Sequence, residues 1–299
     1  MSLHTQPLSR AKQSLVRSLL AKRSERYKQK LFVMEGLRAV IQALSNRQLE
    51  LSSVILRKDY LDAIYGKAAD ADQMAGYATE TLKQLFFQRK NLALYTLDAA
   101  TFQRLSQTEN TQGVMALCRI PEPVKADEML SGDGVILCLD RIRDPGNLGT
   151  MIRTATWFGM SGLVLSRQSV DLFGPKVTRS AAGATGYLPW LEADLGSFLK
   201  LAARKDWLVH LLEARAGAVS YRSCRPTGRD ILVVGSEASG ISRSVRDAGY
   251  GHIAIPTGLS DPESGLQADT TGQPGVESLN ASVAASIVMA HFATSPRQG

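Results

Sequence analysis

The sequence predicts an α/β protein in two parts: a C-terminal domain on a parallel sheet, preceded by a small α/β domain. Three observations predict it. Short apolar runs alternate with helix-length amphipathic stretches along the 299 residues. The later runs are apolar almost throughout, as strands covered on both faces by crossover helices must be. Between two blocks of this alternation lies a charged stretch with two prolines, Pro121-Glu122-Pro123-Val124-Lys125-Ala126-Asp127-Glu128, the composition of a linker. The expected boundaries are residues 1–121, a linker at 122–130, and 131–299.

In chain order, Ser9 is expected to N-cap a first helix whose Leu15, Val16, Leu19 and Leu20 form an apolar stripe. Leu31-Phe32-Val33-Met34 reads as a strand. Glu35-Gly36 then opens a helix with Leu37, Val40, Ile41 and Leu44 at i, i+3, i+4 and i+7. Val54-Ile55-Leu56 is a strand, helical stretches are expected near 59–69 and 79–90, and strands again over 92–97 and 114–119. Beyond the linker, strands are expected at 135–139, 163–165, 207–212, 231–234 and 252–255, with helices between. Ligands on such sheets sit beyond the carboxyl ends of the strands.

Composition narrows the class. An apolar share of 44% and a charged share of 21% suit a globular protein. No apolar run approaches ~18 residues, so no membrane-spanning helix is expected. The first residues, Met1-Ser2-Leu3-His4, lack an apolar signal core, which makes the cytoplasm the expected compartment. Cys118, Cys138 and Cys224 form no CxxC pair and the four histidines no HxxxH, so neither a disulfide nor a metal site is expected. Charge is the more telling quantity. Residues 1–30 carry eight Lys/Arg against one acid, Glu25, which is the whole net +7 of the chain. A neutral body with a basic N-terminal arm suits a polyanion, because phosphate contacts give salt-sensitive affinity without sequence preference. A solvated helix face is the alternative reading of the arm.

Three segments carry chemistry. Asp140-Arg141-Ile142-Arg143-Asp144-Pro145-Gly146-Asn147 follows a strand and leads into a helix over 148–158 closed by Gly159. Asn147 suits its N-cap. Arg153, six residues on, is expected to share the helix mouth with it, and is either a surface residue or a phosphate or carboxylate ligand. Gly235-Ser236-Glu237-Ala238-Ser239-Gly240 follows another strand, with glycines that permit close backbone approach and amides free to bind a ligand. It is neither a dinucleotide fingerprint nor a P-loop. Glu237, on the residues alone, reads as a first-turn acid favouring the helix dipole. Ser278-Leu279-Asn280 opens a helix of small residues, Ala281-Ser282-Val283-Ala284-Ala285-Ser286.

Taken in this order, the segments at 147–155, 235–242 and 278–284 resemble the three signature motifs of the SpoU (TrmH-like) branch of the SPOUT methyltransferases. The resemblance implies methyl transfer from S-adenosylmethionine to a ribose 2′-hydroxyl of structured RNA, with ribosomal RNA favoured and transfer RNA the alternative. A noncatalytic RNA-binding or ribosome-assembly factor on the same fold is the rival from another class. It further implies a trefoil knot in the C-terminal domain and a homodimer whose site is completed near the subunit interface. Asn147, Arg153, Glu237, Ser278 and Asn280 match the family's catalytic positions, and backbone around Gly235, Gly240, Ile255 and Leu279 its cofactor-binding positions. The family account makes the arginine the base. Because a guanidinium is effectively always protonated, Arg153 is expected instead to bind phosphate and steady the developing alkoxide, with Glu237, Ser278 or a water moving the proton.

Upstream, the segments at 32–36 and 105–114 resemble the edges of the substrate-binding domain often fused to these enzymes, itself similar to ribosomal proteins that grip kinked RNA. Arg17, Lys22, Arg23, Arg26 and Lys28 of the arm are the expected RNA contacts. Arg179, in a segment at 176–184 that also resembles the family, is expected to join them. One departure is the stretch from Thr257 to Glu277, longer than the family's and holding four acids and no Lys or Arg. It reads as either a lid or a surface insertion.

Overall fold

The computed structural model describes residues 4–64, 73–89, 92–256 and 278–296. The acidic stretch at 257–277 lies outside these residues. Two compact units result, one of Met1–Glu122 with Asp171–Tyr187, the other of Pro123–Val170 with Leu188–Gly299.

In the first unit, β1 (Thr5–Pro7), β2 (Leu31–Glu35), β3 (Leu51–Arg57), β4 (Ala93–Leu97) and β5 (Val114–Arg119) form a sheet in the order β1-β4-β3-β5-β2. β4 runs parallel to β1 and β3, whereas β5 is antiparallel to β3 and β2. The basic arm is two helices, Arg10–Ala21 and Arg23–Gln29, because Lys22 between them is extended at φ −124° and ψ 122°. Ser9 caps the first helix, its side chain accepting from the Lys12 amide at 3.4 Å. Val16, Leu19 and Leu20 are buried in one cluster with Val33, Ile55, Phe102 and Met115. At about 1.5–3 kcal/mol for each fully buried aliphatic side chain, this stripe, rather than helix propensity, holds the arm on the sheet. Truncating Leu19 to Ala is the single change that would loosen it most.

The domain expected at 131–299 contains a segment that clusters with the first unit. Residues 171–187 are part of the first unit, and specific contacts explain why. Asp171 is buried and takes hydrogen bonds from Arg26 Nε at 2.7 Å, Arg26 Nη2 at 2.5 Å and Tyr27 Oη at 3.1 Å. Phe173 stacks on Phe32 with ring centroids 5.0 Å apart. Thr178 Oγ1 donates to the Val33 carbonyl at 3.3 Å. Gly183, at φ +94°, lets the backbone pass so close to Gln42 that a Cβ there would stand 2.4 Å from the Gln42 Cβ.

In the second unit, β6 (Gly134–Asp140), β7 (Gly162–Ser166), β8 (Trp190–Ala193), β9 (Leu208–Leu212), β10 (Val219–Ser220), β11 (Arg229–Gly235) and β12 (Gly251–Ala254) form one sheet. Its order is β10-β12-β9-β11-β6-β7-β8, and every pairing is parallel. Ile136, Cys138, Leu211, Ile231 and Val233 on the central strands are buried with Phe198 and Leu199 of the helix Leu195–Ala203. Apolar strands covered by crossover helices give a parallel sheet, as the residue pattern predicts. Gly235 pairs with Asp140, so β6 and β11 end side by side. Among the described residues no helix is long and apolar enough to cross a membrane.

Candidate active site

At the end of β6 the chain turns through Asp140 to Asp144 into the helix Pro145–Trp157. The N-cap is Asp144, not Asn147 as the sequence suggested: its Oδ1 accepts from the Asn147 amide at 2.7 Å, with Pro145 at the first helical position. The signal was present, since proline is favoured immediately after a cap and Asp is among the strongest caps. The consequence is chemical. Relieved of capping, the Asn147 side chain, buried within the first turn, is free to reach the neighbouring strand end.

At the end of β11, Ser236 and Gly240 exchange backbone hydrogen bonds of 3.2 and 2.8 Å. That closes a tight loop over Gly235, where a Cβ would lie 2.2 Å from the Gly240 carbonyl carbon. Only glycine fits there, and Gly240 itself needs φ +58°. The loop projects Glu237 and is tied to β6 by the Ser242 amide, which donates to Asp140 Oδ2 at 2.6 Å.

The third contribution is the start of the helix Ala281–Thr294, whose N-cap is Asn280. Its Oδ1 accepts from the amides of Ser282 at 2.9 Å and Val283 at 3.3 Å. Its Nδ2 donates to Asn147 Oδ1 at 2.9 Å and Glu237 Oε1 at 2.6 Å. Asn147 Nδ2 donates to that same Glu237 oxygen at 2.7 Å, and the Ala281 amide reaches it at 3.3 Å. Three residues from three remote segments therefore close one ring of hydrogen bonds around a single carboxylate oxygen. Asn280 is fixed by its own capping bonds and in turn holds the Asn147 amide, so the carboxylate is held rather than merely neighboured.

Asn147 and Glu237 line a cleft of about 330 Å³ with Arg141, Arg143, Ser236 and Ser239. It opens beyond the carboxyl ends of β6 and β11, the position that the fold reserves for ligands. Arg141, Arg143, Asp144 and the two serines were not singled out by sequence. A charged run between a strand and an Asp-Pro turn was the available signal.

Three of the five expected catalytic residues thus meet. Arg153 does not line the cleft and is exposed on its helix. Six residues at 3.6 per turn place it about 240° around the helix from Asn147, so sharing one mouth was the wrong expectation within a single chain. Ser278 and Leu279 are exposed just before the Asn280 cap, and Ile255 is half-buried after β12. Gly235 and Gly240 flank the loop whose Ser236 and Ser239 line the cleft.

Of the expected RNA contacts, Arg17, Lys22, Arg23 and Lys28 are exposed. Arg26 is a correction. It is buried, and its guanidinium is consumed by Asp171 and by the Leu19 carbonyl at 2.6 Å from Nη1. Breaking the arm at Lys22 turned that position inward. Arg179 is half-buried, with Nη1 3.7 Å from Glu35 Oε2.

The chain is similar to known proteins over both of its units. Residues 134–262 match the SpoU rRNA Methylase family and residues 14–116 match the MRM3-like substrate binding domain. The chain is 31% identical over 198 residues to the 23S rRNA (guanosine(2553)-2′-O)-methyltransferase RlmP of Bacillus subtilis, spanning 66% of this chain and 71% of that one. A solved structure of a TrmH-family RNA methyltransferase from Porphyromonas gingivalis superposes with a TM-score of 0.68 at 25% identity, covering 95% of this chain and 98% of that one. The AdoMet-bound rRNA methyltransferase of Sinorhizobium meliloti shares the fold at a TM-score of 0.72 and 20% identity, covering 97% of each chain. These matches, on a parallel-sheet α/β unit with a cleft beyond the ends of β6 and β11, define a methyltransferase that uses S-adenosylmethionine. The chain belongs to the SpoU (TrmH-like) family.

Proposed function

We propose that this protein methylates a ribose 2′-hydroxyl in ribosomal RNA. The observation that carries the reading is the ring joining Asn147, Glu237 and Asn280 at the cleft, in a chain whose relative RlmP is named for that reaction on 23S rRNA. The residues present suit the donor. The cleft's carboxylates, Asp144 and Glu237, suit a ligand bearing a sulfonium and an ammonium. Backbone at Gly235, Gly240, Ile255 and Leu279 is the proposed seat of its adenosine. S-adenosylmethionine, when bound, supplies a methyl group made electrophilic by its sulfonium.

The chain's own residues do the rest. Oε1 of Glu237 is occupied by its three donors, which leaves Oε2 to accept the proton of the incoming hydroxyl. Asn147 and Asn280 fix that carboxylate so that no reorganisation accompanies the step. Ser278, two residues before the Asn280 cap, is the residue we propose to orient the ribose. Arg153 keeps its charge and steadies the alkoxide as it forms.

For Arg153 to act there, a second copy must bring it. Trp157, one turn further along the same face, is 83% exposed, and Leu279 and Val283 are 46% and 47% exposed. Apolar side chains of that size in the open suit a subunit interface. We read the second unit accordingly as a homodimeric SPOUT domain with the C-terminal helix in its knot. The knot in that reading rests on the SpoU family match over residues 134–262. The first unit, with Arg17, Lys22, Arg23 and Lys28 exposed, we read as the part that grips folded RNA, in the manner of ribosomal proteins on kinked RNA. We assign the protein to the cytoplasm with the ribosome.

The test is methylation of ribosomal RNA with labelled donor, followed by nuclease digestion and mass spectrometry. A 2′-O-methylnucleoside is expected. Arg153→Ala should abolish turnover while calorimetry shows donor binding preserved. A methylated base, methylation confined to transfer RNA, or a wild-type protein that fails to bind the donor would overturn the proposal.

A further inference from the structure

We propose that Arg141 holds an RNA backbone phosphate beside the acceptor ribose. This deepens the methyl-transfer reading and rests on it. Arg141 is the first residue after β6 and adopts φ +56°, a conformation that a long side chain with a Cβ rarely takes and that glycine or asparagine takes easily. Strain of this kind persists where the surroundings hold it in place, and it concentrates at binding sites. The surroundings here do hold it: the Arg141 amide donates to Ser166 Oγ at 2.7 Å.

The side chain is poorly used by the protein itself. Among the described residues its Nη2 reaches the Gly240 carbonyl at 3.5 Å, and its Nε stands 3.7 Å from Asp140 Oδ1. Nε is buried and makes no hydrogen bond. A guanidinium has five donors in a planar fork, and this one is aimed by a buried carboxylate without being satisfied by it. It lines the same cleft as Asn147 and Glu237, and Arg143 stands exposed on that cleft's wall.

The chemistry selects the ligand. In an RNA chain the 2′-oxygen and the 3′-phosphate sit on adjacent ribose carbons. A hydroxyl presented to Glu237 therefore brings a phosphate with it, and the repulsion between that phosphate and the carboxylate must be offset nearby. A bidentate arginine fork matches two phosphate oxygens in geometry and charge, and Arg143 adds a second cation toward solvent.

Two variants test this in the full-length protein. Arg141→Asn removes the charge but suits the positive φ; Arg141→Lys keeps the charge and loses the fork. Wild type and both variants are compared by RNA binding across a salt series, by KM for ribosomal RNA, by calorimetric affinity for S-adenosylmethionine, and by Tm. For Arg141→Asn we expect a Tm at or above wild type and an unchanged donor affinity. Its KM for RNA should rise by about tenfold or more, with the log–log salt slope shallower by about one. Arg141→Lys should recover the salt slope but not the full affinity. Weakened donor binding with an unaltered salt slope would assign Arg141 to the donor's carboxylate instead and overturn the proposal. So would RNA binding unaffected in both variants. Failure of the wild-type protein to bind the donor or methylate RNA would strike the underlying reading, and is distinguishable because it needs no variant.

Discussion

Arg26 and Asp171, 145 residues apart, meet through two hydrogen bonds of 2.7 and 2.5 Å to one carboxylate oxygen. Both side chains are more than nine-tenths buried. A buried pair of this kind contributes little over an apolar pair of equal volume, yet removing one partner strands the other charge. Asp171→Ala should therefore cost about 3–5 kcal/mol in chemical denaturation. The double variant Arg26→Met with Asp171→Leu should regain most of that loss. A single variant no less stable than wild type would show that the pair is not held as described.

Asp144 caps the helix that carries Asn147. Replacing it with Ala should lower stability by ~1 kcal/mol and reduce kcat well beyond what that loss explains, because Asn147 would be drawn into capping. Asp144→Ser, another good cap, should restore both quantities. Thermal melts alongside steady-state kinetics separate the two effects.

Glu237 is exposed at one end and fixed by three donors at the other. In Glu237→Gln the amide oxygen can still accept those bonds, but the group no longer takes a proton. Methyl transfer should fall by roughly 10²–10⁴-fold, with Tm and donor affinity little changed. Single-turnover rates measure this; a rate within a fewfold of wild type would remove Glu237 from proton transfer.

If the site is shared between subunits, two dead enzymes should make a live one. Mixing Arg153→Ala with Glu237→Gln after reversible dissociation should restore about a quarter of wild-type activity, since half the dimers are mixed and each holds one intact site. Trp157→Glu should leave a monomer by analytical ultracentrifugation. No recovery on mixing, with dimers present, would place Arg153 outside the partner's site.

Burial raises the pKa of the Cys118 and Cys138 thiols strongly, and raises that of half-buried Cys224 through burial and then the nearby Asp230 charge. Only the thiolate reacts readily. At mildly alkaline pH the native protein should therefore resist Ellman's reagent at Cys118 and Cys138 and react slowly at Cys224. Denaturant should release all three at once. Rapid native labelling of Cys138 would mean that the β6 core opens.

What the sequence made legible follows a physical rule. The central strands announced themselves, because Ile136–Leu139 and Ile231–Val234 are buried on both faces and must be apolar throughout. The strands at the margins did not. Thr5–Pro7, Trp190–Ala193 and Val219–Ser220 all sit at sheet edges, where two to four residues suffice and one side faces away from the core, so their composition carries no period. The site was legible as a set of residue types and illegible as geometry. Asn147, Glu237 and Asn280 could be singled out, but nothing in their spacing says that one oxygen of Glu237 receives both amides. Arg141 was passed over because its distinction is a backbone angle, which no residue pattern displays. The inward turn of Arg26 was hidden because its partner arrives from far along the chain.

The detour of residues 171–187 makes the two halves of this molecule inseparable by scissors or by cloning. The polypeptide passes from one unit to the other three times, after Glu122, after Val170 and after Tyr187. A protease that nicks the proline-bearing joint near Pro123 leaves residues 171–187, part of the first unit, on the downstream fragment. A gene fragment ending at Glu122 would encode an arm whose Arg26 has lost the Asp171 carboxylate, and evolution can exchange neither half without also replacing a loop that lies inside the other.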